Sequence, residues 1–154
     1  MEHKVFGAPQ PGLEYWDRPG AYGVAFDNRG RAAVVYREGK GYFLLGGGIE
    51  PGEDEAACIR REVLEETGYA ATVGEKVCVG EQYAIMSSGR PFHPIGHIHL
   101  AQLGEKVAEP VETDHTLIWM PVEEFQRAAF ARYQAWAMGL AWELYQKRQK
   151  EKRS

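Results

Sequence analysis

Glu62, Glu65 and Glu66 stand at i, i+3 and i+4, a spacing that stacks three carboxylates on neighbouring turns of one helix face. Like charges so placed repel and weaken the helix unless a cation sits among them. An all-oxygen ligand set suits a hard divalent cation, Mg2+ or Mn2+. Taken alone, the triad reads more readily as a solvated acidic face. The residues before it favour a site. Gly46, Gly47 and Gly48, with Pro51-Gly52 after them, read as a loop that is neither helix nor strand, with Asp54 beyond as a helix N-cap. Such a turn aims backbone N–H groups and the positive end of the helix at an anion. Gly46, Gly47 and Gly48 are therefore candidate phosphate contacts beside a metal on the carboxylates. Arg61, four residues before Glu65, can hold that carboxylate in a ligating orientation.

These residues need a helix over 54–67, ended by Gly68. On a helical wheel Ala56, Ala57, Ile59, Val63 and Leu64 take one side, and Glu55, Glu62, Glu65 and Glu66 take the acidic outer side. β-type runs flank it. Ala21–Phe26 and Ala32–Tyr36, joined by Asp27-Asn28-Arg29-Gly30, read as a strand pair. Tyr42–Leu45, Ala71–Val73, Val77–Met86, Phe92–Leu103 and Thr116–Met120 continue the pattern. Residues 1–20, rich in Gly and Pro, read as an N-terminal flap with Leu13–Trp16 as a short edge strand. A helix opens after Pro121, and residues 132–154 read as a C-terminal helix with a basic tail. Strands on both sides of one helix, followed by terminal helices, predict an α/β protein with a mixed sheet between helical layers.

The stretch Gly47–Tyr69 resembles the signature of the Nudix hydrolase family, Gx5Ex7REUxEExGU with U a bulky apolar residue. The matching residues are Gly47, Glu53, Arg61, Glu62, Val63, Glu65, Glu66 and Gly68, with Tyr69 at the last position. Tyr69 stands where an aliphatic residue is more usual, and Leu45 stands where many members have proline. The resemblance implies one domain over residues 1–154, an α/β/α sandwich with a mixed central β-sheet. It also implies hydrolysis of a nucleoside diphosphate linked to another group X, giving a nucleoside monophosphate and phosphorylated X. Glu62, Glu65 and Glu66 would be metal ligands, Glu53 a further ligand, and Arg61 the orienting residue. A backbone carbonyl near Gly46 or Gly47 would complete the shell. By the same resemblance the base that takes the proton from water would be a glutamate of this signature, the Nudix box, such as Glu65, or an acid of the later loop. Glu109, Glu112 and Asp114 occupy that loop, and Glu112 is favoured.

Other residues carry weaker signals. His97 and His99 share one strand face, as strand histidines or substrate contacts rather than a zinc pair, because no third soft ligand has useful spacing. His93 and His115 are read in the same way. Cys58 falls on the acidic side of the helix, as a buried thiol or an oxidation-sensitive one. Tyr83, Phe92 and Trp119 are candidate stacking platforms for a base, and Arg37, Lys40 and Arg90 candidate phosphate contacts.

Composition narrows the classes further. With 154 residues, a formal net charge of −4 and 44% hydrophobic residues, the chain can bury a core without disulfides or a structural metal. Its acidic body argues against duplex nucleic acid, whose binding rests on neutralising phosphates. No apolar run approaches a membrane span and no signal peptide is evident, while two cysteines suit a reducing compartment. The expectation is a cytoplasmic protein acting on a small nucleotide, with a homodimer as a reasonable assembly. Two other readings stand beside it: a nucleotide sensor that keeps the fold without catalysis, and a hydrolase of RNA 5′ ends that uses the basic tail.

Overall fold

Alternation along the central strands sorts side chains onto two faces. Tyr22, Val24, Ala32, Val34 and Leu44 bury toward one side, while Ala21, Ala25, Ala33, Val35 and Leu45 bury toward the other. A sheet apolar on both faces has to be covered twice, and the computed structural model, which describes residues 1–154, shows both layers. The strands are β1 (Glu2–Phe6), β2 (Trp16–Val24), β3 (Arg31–Arg37), β4 (Gly41–Gly48), β5 (Tyr69–Gln82), β6 (Ala84–Ile85), β7 (Pro91–Lys106) and β8 (His115–Pro121). The helices are α1 (Glu55–Thr67), α2 (Val122–Ala128) and α3 (Arg132–Arg153).

The sheet runs β1-β5-β7-β2-β4-β3-β8, with β6 beside β7. The β1/β5 and β2/β7 pairs are parallel and the others antiparallel, so the sheet is mixed. Cys58, Ile59 and Val63 of α1 close one face, and Phe125 of α2 with Ala137, Met138 and Ala141 of α3 close the other. The architecture is the expected α/β/α sandwich. No helix is long and apolar enough to cross a membrane.

Three local expectations about the strands are corrected. The runs on either side of Asp27–Gly30 touch only through the Phe26–Ala32 bridge and the bond from Ala33 N–H to Ala25 O. β2 pairs instead with β4 and β7, and β3 with β4 and β8. A turn signal reports a reversal of direction, whereas strand partners are set by which ladder buries both faces. At the N-terminus the strand is Glu2–Phe6, laid parallel along β5, and Leu13–Tyr15 are not in a strand. The glycines Gly46–Gly48 form the end of β4, paired with Tyr22, Ala21 and Gly20 of β2, and are not a loop.

Helix α1 begins where expected, with the Asp54 carboxylate accepting the Ala57 N–H, and ends at Gly68 in the left-handed region. Its buried stripe is Cys58, Ile59, Val63, Glu66 and Thr67, while Leu64 is exposed. Glu66 therefore belongs to the packed side, not to the acidic outer face. The helix is rotated so that this carboxylate reaches the end of β4.

Candidate active site

The last residues of β4 are glycines because α1 lies directly against their backbone. The Gly46 N–H donates to Oε1 of Glu66 at 3.0 Å. A Cβ on Gly47 would stand 2.6 Å from the Glu62 carboxylate carbon, and one on Gly46 would stand 2.2 Å from Ala21 O. A side chain on Gly47 would push the helix and its carboxylates off the strand, and one on Gly46 would drive β4 from β2. The Gly46 N–H is thus spent on a carboxylate, and the expected row of N–H donors toward a phosphate is reduced by that group. The carbonyls remain at hand: Gly47 O and Gly48 O accept from Cys58 Sγ, and Gly48 O also accepts from Arg61 Nη2 at 3.0 Å.

Arg61 is the hub. Its Nε and Nη2 donate to the two oxygens of Glu53 at 2.6 and 2.9 Å. Nη1 donates to Glu62 Oε1 at 2.8 Å and lies 3.4 Å from Glu65 Oε2. The fork geometry of a guanidinium suits this arrangement, which a lysine could not reproduce. The arginine holds Glu53 far below the usual carboxylate range, at about 2, aided by the Glu50 N–H. Burial acts the other way on Glu62 and Glu66. It raises the Glu62 carboxyl, against the pull of Arg61, and raises Glu66 well above its ordinary value, where the Gly46 bond only partly compensates.

Glu53, Glu62 and Glu65 therefore share one guanidinium, and Glu66, only 5% exposed, accepts instead from the Gly46 N–H. Three carboxylates on a single cation, with Glu66 buried on the same helix, leave negative charge uncompensated in a partly buried place. That donor set, all oxygen and strongly acidic, fits a hard divalent cation.

The NUDIX domain family model matches residues 16–137, most of the chain. The chain belongs to the Nudix family. It is a pyrophosphohydrolase of that family, and α1 is its Nudix helix. Solved structures agree in fold. The solution structure of the E. coli ORF135 protein superposes with a TM-score of 0.61 at 23% identity, covering 90% of this chain and 96% of that one. A UDP-X diphosphatase gives 0.65 at 18%, with 90% of this chain and 68% of that one, and a MutT protein from Methanosarcina mazei Go1 gives 0.63 at 17%, with 88% and 99%. No curated protein matches the chain at a significant level.

A second acidic group meets the far end of the Nudix helix. A Cβ on Gly68 would lie 2.0 Å from Ala108 O, so the loop after β7 packs onto this glycine. Its carbonyl accepts from the Val107 and Ala108 N–H groups, and the Glu65 carbonyl accepts from those of Val111 and Glu112. Side-chain atoms of Glu112, Asp114 and His115 come within 4.8 Å of one another, and His115 Nε2 is 3.8 Å from Glu66 Oε2. Glu112 thus stands beside the box carboxylates, whereas Glu109 is exposed and faces Lys106. His115 was not singled out by its spacing. It becomes part of the site because β8 starts at that residue, opposite Arg37 of β3.

The remaining candidates divide. His97 and His99 both face Glu55 of the Nudix helix, at 3.4 and 2.7 Å, together with Lys76. A lysine in that group opposes a metal site there. His93 lies between Asp17 and Glu81 and stacks on Tyr83 at 4.1 Å. Cys58 is fully buried, and burial pushes its thiol up to about 11. Trp119 packs against the α1-side core, while Phe92 meets Trp16 at 5.2 Å. Arg37 lies over Phe43, and Lys40 is exposed in a turn. Arg18, which sequence reasoning passed over, lies against Gly48 beside the box. Its interleaving with Trp16 was the available signal.

Proposed function

We propose that the chain hydrolyses the pyrophosphate bond of a nucleoside diphosphate linked to X, releasing a nucleoside monophosphate and phosphorylated X. Residues 1–154 would act as one unit. The observation that carries the reading is the convergence of Glu53, Glu62 and Glu65 on Arg61, with Glu66 bound to the Gly46 N–H at the glycine end of β4. Glu62, Glu65 and Glu66 would hold Mg2+ or Mn2+, with Oε2 of Glu53 as a further ligand, since it accepts only one bond from Arg61. When bound, the cation would neutralise charge on the pyrophosphate and acidify a water.

The protein's own residues would do the rest. Arg61 fixes the carboxylates before substrate arrives, so no reorganisation is needed during the reaction. Glu112, carried to the helix end by its backbone bond to Glu65 O, would take the proton from the attacking water. Gly47, lacking a side chain, keeps room for Glu62 against the strand. The fold shared with a UDP-X diphosphatase makes nucleotide sugars one class to be tried here.

The test is monophosphate or phosphate release across nucleoside triphosphates, nucleotide sugars, ADP-ribose and dinucleoside polyphosphates, with Mg2+ or Mn2+, for the wild type and Glu65→Gln. Turnover of one class, lost with EDTA and in the variant, supports the reading. An inert protein that binds one nucleotide tightly would replace it with a sensor.

A further inference from the structure

Four glycines stand in register across four adjacent strands: Gly80 of β5, Gly96 of β7, Gly20 of β2 and Gly48 of β4. The row leaves a strip of bare backbone on the α3 face, and Tyr133, Trp136, Tyr22 and Arg18 lie against it. The Tyr133 ring covers Gly80 and Gly96, and Tyr22 reaches Gly20. At the end nearest the box, a Cβ on Gly48 would meet the Arg18 guanidinium at 2.7 Å. Gly48 O accepts from Arg61 Nη2, so Arg18 and the carboxylate hub are neighbours across one residue of β4.

Arg18 continues into an outward row. Its guanidinium carbon is 5.7 Å from the Trp16 ring centroid, and that of Arg90 is 4.1 Å from the same ring. Phe92 supports the indole at 5.2 Å, and Trp16 is 36% exposed. Arg31, Arg61 and Arg148 are each ion-paired. Arg18 and Arg90 have no carboxylate partner in a chain of net charge −4. Asp17, between Trp16 and Arg18, cannot serve, because strand alternation turns it to the opposite face, where it meets His93. Two guanidiniums, aligned on one indole and making no direct ion pair, lead away from the Glu62 end with their donors unused.

We propose that Arg18 and Arg90, aligned by Trp16, grip a phosphoryl group of the substrate beyond the bond that is cut. The inference rests on the hydrolase reading and narrows it: substrates with three or more phosphates, or with a phosphate on X, are preferred to two-phosphate nucleotide sugars. Arg18 stands nearer the box and contacts the adjoining phosphate, while Arg90 reaches the next one.

Binding of inorganic tripolyphosphate, measured by calorimetry in EDTA, tests the grip without metal or turnover. Wild type and Glu65→Gln bind alike, while Arg18→Gln, Arg90→Gln and Trp16→Leu each weaken binding at least tenfold with unchanged circular dichroism. In parallel, the ratio of kcat/KM for ATP to that for UDP-glucose falls at least tenfold in Arg18→Gln. No binding by wild type, or equal binding by the arginine variants, overturns the proposal. If no substrate is turned over yet the arginine variants lose tripolyphosphate, the hydrolase reading fails and the anion grip stands.

Discussion

Gly47 of β4 and Glu62 of α1 are in direct contact: the carboxylate occupies the place where a side chain on the glycine would begin, 2.6 Å from its carboxyl carbon. Helix and strand are thereby locked at the spacing that lets Arg61 bond both Glu62 and Gly48 O. The charged site and the strand end are one packing unit.

Gly47→Ala should therefore damage the site more than the fold. The new methyl displaces Glu62, and metal affinity should fall roughly 10- to 100-fold, the range seen when partners of metal ligands are disturbed. Mn2+ titration with parallel thermal melting measures both effects. A variant with wild-type Mn2+ affinity would detach Gly47 from the site.

Burial raises the carboxyls of Glu62 and Glu66. A raised folded-state value means that the native protein binds protons more tightly than the unfolded chain, so these acids penalise stability increasingly as pH climbs above the usual carboxylate range. A divalent cation should offset that penalty. At a hundredfold excess over Kd it adds about 2.7 kcal/mol, a rise in Tm of roughly 5–10 °C for a chain of this size. The rise should be larger at pH 8 than at pH 5, and Glu66→Gln should raise the metal-free Tm while shrinking the response. Equal shifts at the two pH values would contradict this.

Gly68 has φ +79° and a carbonyl oxygen 2.0 Å from its missing Cβ. Gly68→Ala combines a left-handed backbone with a clash against Ala108, and should cost more than about 2 kcal/mol. Urea unfolding reads the loss. Because the same loop carries Glu112 to the helix end, turnover should fall further than the unfolded fraction explains.

Glu112→Gln should lower turnover by roughly 10²-fold or more, as expected for a lost proton acceptor, with little change in metal affinity. Rate and Mn2+ titration together separate this from loss of a ligand. Unchanged turnover removes Glu112 from the mechanism.

Much of the site was readable from short-range chemistry. Asp54 as cap, Gly68 as stop and the i, i+3, i+4 acids are local facts, since helix geometry alone places them. The charge conflict among those acids pointed to a cation before any fold was known. Strand runs on both sides of one helix, followed by terminal helices, likewise implied a sheet between helical layers.

Only the tertiary structure decided the rest, because each remaining feature joins residues distant in the chain. A turn motif between two strands does not state their neighbours, so β2 and β3 separate onto other partners. The three glycines looked like a loop because glycine favours loops; in the strand, Ala21 and Tyr22, Glu62, and Arg18 fill the space their side chains would need. Glu66 looked solvated by helical periodicity, but the rotation of α1 against β4 buries it. The approach of Glu112 and His115 depends on a loop docking at Gly68, a contact between surfaces that no spacing within either segment encodes.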